Sequence, residues 1–224
     1  MGARDFRLIY VSVSLTFPPL PRFRQGAIKR FAAEIDNEHP FESVENRSDA
    51  GGVLETEGRR WLRIDRDGLE FQERSVEEGW DVVSRNAVDL VERARKSFQI
   101  PFYLVSEIIV RALSPVEPEA SKLLQERALG VNPEQYQLLG KDVRGGSVTV
   151  VGTHEDPEFN WSVEIAPYLS DETNVWIEVE SHPLGLGTDV DEGGDEDDLL
   201  SEGLHGTYKF LNENVMTFIA NVLD

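Results

Sequence analysis

The chain has 224 residues, 40% hydrophobic and 29% charged, and its 42 Asp and Glu against 22 Lys and Arg leave a formal charge of −20. Such a composition belongs to folded globular chains rather than disordered or fibrous ones, and the length suits one large domain or two units of about 100 residues. The absence of cysteine excludes disulfides, thiol catalysis and Cys-type zinc sites, and the negative charge weighs against a general polyanion binder, whose affinity comes from neutralising Lys and Arg.

In chain order, RLIYVSVSLTF alternates apolar and polar residues and predicts a strand. It carries no signal-peptide cleavage site, and Phe6 stands where a myristoylation signal needs Ser or Thr. No run approaches the roughly 18 apolar residues of a membrane span, so a cytoplasmic protein without membrane contact is expected. Pro18, Pro19 and Pro21 break the strand, and Phe23, Ala27, Phe31 and Ile35 mark a short helix. Strand candidates FESVEN, GVLETE, RRWLRID and GLEFQER follow, the last two joined by a turn at Arg66 and Asp67. From Ser75 to Phe98 the residues Val76, Trp80, Val83, Ala87, Leu90, Val91, Ala94 and Phe98 form the stripe of a long amphipathic helix.

The same succession then returns. YLVSEIIVRAL predicts a strand, Pro115 and Pro118 break it, and EASKLLQERAL predicts a short helix. Strand candidates QYQLLGKDV, GSVTVVGTH, NWSVEIAP and TNVWIEVES come next. A closing helix carries Leu200, Leu204, Tyr208, Leu211, Val215, Phe218, Ile219 and Val222 on its apolar stripe.

Each half therefore reads β-α-β4-α, with residues 1–100 and 101–224 as the two repeats. The expected fold is α+β, two repeats forming curved antiparallel sheets backed by the two long helices, because a half-apolar sheet and a striped helix bury each other's apolar faces. This duplicated order resembles the TATA-box-binding-protein-like fold, with a helix-grip sheet as the nearest competitor. Charge is divided unevenly between the halves. Residues 1–100 hold 16 of the 22 Lys and Arg and 18 of the 42 Asp and Glu, a net of −2, which leaves −18 for residues 101–224.

The halves also differ in length, by an acidic insertion at about 183–198 that includes most of GTDVDEGGDEDDLLSEG. Read as a calcium loop from Asp189, this stretch has Gly194 at the sixth position but Leu200 at the twelfth. Read from Asp191, it has Glu202 at the twelfth but Glu196 in place of glycine. A solvated loop is the better reading, since acidic Gly-rich runs do not bury enough apolar surface to order themselves. Asp197, Asp198 and Glu202 fall near the start of the closing helix, where its dipole favours negative charge.

A search for catalytic patterns finds none. His39, His154, His182 and His205 show no paired metal-ligand spacing. His154 in THEDPE reads as part of a turn, and His205 as a residue at the start of the closing helix. There is no Gly-x-Ser-x-Gly elbow, no phosphate loop around Gly140-Lys141, and no third glycine after Gly185 and Gly187 for a dinucleotide fingerprint. Neither a catalytic residue, a resident metal nor a cofactor is expected.

Candidate partner-binding residues are Arg59, Trp61 and Arg63 on the RRWLRID hairpin and the acids Asp195, Asp197 and Asp198. Strand alternation would place Arg59, Trp61 and Arg63 on one face, with Arg60 and Leu62 on the other. Arginine beside an aromatic suits nucleic-acid contact. Pairing with neighbouring glutamates such as Glu55, Glu57, Glu70 and Glu73 is the simpler account.

An opening strand followed by FPPL, then DGLEFQERSVEEGWDVVSRNAVDLVERAR and a closing LHGTYKFLNENVMTFI, resembles a sporadically distributed family of uncharacterised prokaryotic proteins of about this length. The chain departs from that family at Gln72, Glu73 and Arg74. The resemblance implies an accessory role such as host defence or toxin neutralisation. Three functions stay open: a non-enzymatic interaction or regulatory protein with a protein partner, a basic one among the candidates; a nucleic-acid binder using the first-half arginines; and a small-molecule binder with a pocket between sheet and helix.

Overall fold

The structure, a computed structural model, describes residues 5–24, 26–47, 50–74, 76–116, 120–124, 127, 146–184 and 196–223. Nine strands are described: β1 (Arg7–Thr16), β2 (Ser43–Asn46), β3 (Gly51–Thr56), β4 (Arg60–Asp65), β5 (Gly68–Arg74), β6 (Leu104–Pro115), β7 (Val148–Glu155), β8 (Glu158–Pro167) and β9 (Asn174–Pro183). Helices are α1 (Ala27–Ile35), α2 (Trp80–Phe98), the short α3 (Ala120–Leu123), and a C-terminal helix made of α4 (Glu196–Lys209), a π-helical turn (Phe210–Val215) and α5 (Met216–Leu223).

All nine strands form one curved antiparallel sheet in the order β2-β3-β4-β5-β1-β6-β9-β8-β7. Its centre is the β1–β6 pair, with Val11 opposite Val110 and Val13 opposite Ile108. Outward from that pair the two sides repeat each other: β5, β4 and β3 follow β1, and β9, β8 and β7 follow β6. The expected α+β class and helix-backed antiparallel sheet are therefore what the chain builds. The predicted strand QYQLLGKDV lies outside the described residues, as does most of the predicted helix EASKLLQERAL beyond α3.

Alternation along each strand divides the sheet into two unlike faces. Val11, Val13 and Leu15 of β1, Leu62 and Ile64 of β4, Ile108 and Val110 of β6, and Val175, Ile177 and Val179 of β9 are buried and turn toward the helices. The helices supply the complementary stripe: Val83, Ala87, Leu90 and Ala94 from α2, and Leu200, Leu204, Leu211, Val215 and Ile219 from the C-terminal helix. These residues belong to one continuous core. The seam between the two long helices is closed by Trp80 stacked on Tyr208, with ring centroids 4.5 Å apart and planes 7° from parallel.

Two expectations about the helices need correction. Helix α2 begins at Trp80, not at Ser75, because Gly79 adopts φ 81° and ψ 169° and holds the preceding residues out of the helix. On the C-terminal helix Phe218 is 44% exposed, whereas Phe210 and Met216 are buried. The wider i→i+5 closure of the π-helical turn shifts the helix phase, so that Phe210 and Met216 join Leu211, Val215 and Ile219 on the buried side while Phe218 turns outward. This helix also lies close to the β7–β8 turn. A Cβ at Gly206 would come within 2.6 Å of the Pro157 ring, so only glycine permits the approach.

Candidate functional site

The face of the sheet turned away from the described helices is the more polar one, although Val53, Ile109, Val151 and Trp176 also fall on it. Across the middle it presents Tyr10, Ser12 and Ser14 from β1, Glu70 and Gln72 from β5, Glu107, Ile109 and Arg111 from β6, and Trp176, Glu178, Glu180 and His182 from β9. Glu164 of β8 stands directly opposite Glu178. Like charges paired across strands repel. That cost is offset only in part by Arg111 and His182, and at the β5 side by Arg63 opposite Glu70 and Arg74 opposite Tyr10.

Arg111 is pinned. Its Nε donates to Glu178 Oε2 at 2.5 Å, and its guanidinium lies over the Tyr10 ring at 4.3 Å and near the Trp176 ring at 5.9 Å. His182 is held at both nitrogens, with Nδ1 2.9 Å from the Ser106 carbonyl oxygen and Nε2 2.7 Å from Glu180 Oε1. Burial would lower the His182 pKa, but the bonds to Ser106 and Glu180 outweigh it and raise the imidazole above its ordinary value. Glu107, half-buried beside them, is also raised, first by burial and then by the Glu180 charge. The ligand atoms of Glu107, Glu180 and His182 all lie within 4.8 Å of one another.

The arginine hairpin is arranged differently from its sequence expectation. Strand β4 starts at Arg60, so alternation does not reach Arg59, which sits in the preceding turn. Arg59 bonds Glu73 at 3.0 Å and Glu78 at 2.7 Å, and Arg60 bonds the other oxygen of Glu73 at 2.6 Å. Glu73 is 2% exposed on the helix-covered face, which makes this trio a structural clamp. Trp61 and Arg63 do lie together on the uncovered face, Trp61 opposite Gln72 and Arg63 opposite Glu70. Arg63 is paired with Asp65 at 2.5 Å. Asp197 and Asp198 fall in the first turn of α4, and Asp195 lies outside the described residues with the rest of the acidic stretch.

The histidines also separate by role. His39 is buried and bonds Asp89 Oδ2 at 2.6 Å, joining the segment after α1 to α2. Asp89 is further held by Arg93 at 2.8 Å. Burial alone would raise its pKa, but these two hydrogen bonds prevail and leave it below the ordinary carboxylate value. His154 ends β7, bonded to the Pro157 carbonyl oxygen at 3.1 Å and stacked on Phe159. His205 does not start its helix. It lies well inside α4, exposed, on a groove of about 670 Å³ between α2 and α4 that Arg85, Asp89 and Lys96 also line.

Sequence reasoning missed the His182 cluster. Glu180 and His182 are two apart on one strand and so share a face, which was readable. Glu107 comes from another strand, and only the β6–β9 register brings it there. No helix of the described residues is long and apolar enough to cross a membrane. No family model and no curated protein matches the chain. Among solved structures, Methanococcus jannaschii TBP aligns with 92% of this chain and 99% of its own length, at 15% identity and a TM-score of 0.36, values at which the likeness carries no conclusion about what this chain binds.

Proposed function

We propose that the chain is a non-enzymatic binding module that takes a basic protein segment on the uncovered face of its sheet. The observation that carries this reading is the row of carboxylates Glu70, Glu107, Glu164, Glu178 and Glu180 on one broad surface that spans β5, β1, β6, β9 and β8. Lysine and arginine side chains of a partner would relieve that repulsion, and charge complementarity of this kind favours fast association and correct partner choice. Neutralising a basic toxin, the accessory role implied by the family resemblance, would fit such a surface.

The alternatives draw less support. A nucleic-acid binder needs cations free to meet phosphates, yet Arg59, Arg63 and Arg111 are each held by a carboxylate. A pocket between sheet and helix is opposed by the dense core there, where residues such as Phe71, Leu90, Ile108 and Ile177 are fully buried.

Fluorescence anisotropy with an arginine-rich peptide and with duplex DNA, at low and at physiological salt, tests the proposal. The double variant Glu70→Lys with Glu164→Lys should weaken peptide binding by at least about tenfold relative to Glu77→Lys with Glu213→Lys, which changes net charge equally but off this face. Equal weakening by both pairs would reduce the effect to net charge and overturn the assignment. So would duplex DNA binding more tightly than peptide at the same salt.

A further inference from the structure

Glu107 and Glu180 belong to the proposed partner surface, and their geometry around His182 has a consequence of its own. A backbone carbonyl can only accept, so the Ser106 oxygen 2.9 Å away fixes a proton on His182 Nδ1. The second nitrogen, Nε2, then points at Glu180 Oε1 from 2.7 Å. If Nε2 carries a lone pair, two electron-rich atoms face each other, and the arrangement needs a cation between them. A second proton fits that separation as it stands, and a metal ion, with ligand bonds of about 2.0–2.2 Å, fits once the two side chains part slightly.

The surroundings favour more than a proton. The β6–β9 register sets Ile108 opposite Ser181, and one further step brings Glu107 beside His182. The Glu107 carboxylate makes no hydrogen bond or ion pair among the described residues, although it is half-buried with its oxygen within 4.8 Å of the other two ligand atoms. A proton on His182 hydrogen-bonds Glu180 and relieves Glu107 only in part, since burial and the Glu180, Glu70 and Glu178 charges act against that carboxylate. A divalent ion at the centre of the three would satisfy both carboxylates at once.

We infer that Glu107, Glu180 and His182 form a binding site for a divalent transition-metal ion of the zinc type. One imidazole nitrogen and two carboxylate oxygens are a donor set suited to Zn²⁺ and less to Mg²⁺, which prefers oxygen ligands throughout. The carbonyl bond at Nδ1 is the outer contact that metal-ligating histidines use to fix their tautomer and ring orientation. Three protein ligands leave a fourth tetrahedral position, facing outward from the sheet, for water or a donor from another molecule. The strands hold all three residues on a paired backbone, so only side-chain torsions have to adjust when the ion arrives. It does not depend on the chain having a basic partner.

Isothermal titration calorimetry of the full chain with Zn²⁺ after removal of bound metals by a chelator tests this, with Mg²⁺ as the comparison ion. One Zn²⁺ should bind per chain, more tightly than Mg²⁺. Glu107→Gln and His182→Ala should each weaken it by at least about tenfold. Glu107→Gln keeps the side-chain volume, so its thermal melt in chelator checks that a loss of binding is not a loss of fold. In parallel, Zn²⁺ should move the His182 ring resonances in nitrogen NMR spectra toward those of a metal-bound Nε2. A Zn²⁺ isotherm unchanged in Glu107→Gln would overturn the site, placing the binding elsewhere, for example in the acidic stretch near Asp195. His182 resonances that respond to pH and not to Zn²⁺ would also overturn it, leaving a proton as the cation.

Discussion

The two halves, which we propose are copies of one unit spanning residues 1–100 and 101–224, use their charges in opposite ways. In the first half, carboxylates are matched by cations and join elements of the fold. Glu73 binds Arg59 and Arg60 across the β4–β5 hairpin, and Asp89 binds His39 and Arg93, which itself pairs with Glu38. In the second half, Glu107, Glu164, Glu178 and Glu180 crowd onto one sheet face with Arg111 and His182 as their cations. Matched charges stabilise the structure that contains them, whereas an excess of one sign is held in place by the rest of the fold and is available to something outside it. We propose that the first half's ion pairs maintain the fold and that the open carboxylates, Glu70 from the first half and the rest from the second, serve recognition.

The largest expected effect applies to the core that both halves share. Leu211→Asp places a charge at a fully buried position, and Trp80→Asp places one where the side chain is 8% exposed and removes the stack on Tyr208. Each should cost on the order of 5 kcal/mol, comparable to the roughly 5–15 kcal/mol that holds a domain folded. Loss of the cooperative thermal transition is the expected result. A melting temperature equal to that of the parent would mean that the helices do not cover the sheet.

The next effect should separate the halves directly. Glu73→Ala leaves Arg60, whose side chain is 11% exposed, beside Arg59 without their shared carboxylate, and should cost about 3 kcal/mol in urea denaturation. Glu178→Ala leaves Arg111 still stacked on Tyr10 and 35% exposed, and should cost no more than about 1 kcal/mol. Equal costs would erase the contrast between a structural clamp and a recognition surface.

The smallest effect is in pH dependence, where the halves should slope in opposite directions. Asp89 lies below its ordinary value in the folded chain, so its contribution is present above the unfolded pKa and is lost as pH falls through the folded one. Glu107 and His182 both lie above their ordinary values. Their contributions are complete below the unfolded values and are lost as pH rises through the folded ones. In chelator, Glu107→Gln should therefore melt higher than the parent at pH 7, with the gain vanishing as pH falls below the carboxylate range. Asp89→Asn should melt lower at pH 7, with its deficit fading in acid. A Glu107→Gln gain that persisted in acid would show that charge is not its source.

Much of the fold was written locally. The strand β1 and the helix α2 could be read because alternation and 3.6-residue spacing are properties of consecutive residues, as in Val11, Val13 and Leu15 or Val83, Ala87, Leu90 and Ala94. The same local logic failed where geometry departed from the ideal period. It put Phe218 in the stripe because the π-helical turn at Phe210–Val215 cannot be seen in apolar spacing alone. It grouped Arg59 with Trp61 and Arg63 because it could not tell that the strand begins one residue later.

The sequence by itself determined the succession of the described strands and helices and the acidity of the second half, since each depends on residue type and short-range spacing. Tertiary structure decided what those charges do. Whether a glutamate supports the fold, as Glu73 does between two arginines, or crowds other glutamates on an open face, as Glu107 does, depends on which strand lies beside it. That is set by the order β5-β1-β6-β9 and by the register of each pair. Hydrogen bonding between distant strands is a long-range event with no local signature, so the convergence of Glu107 on Glu180 and His182 exists only once the sheet has closed around its central pair.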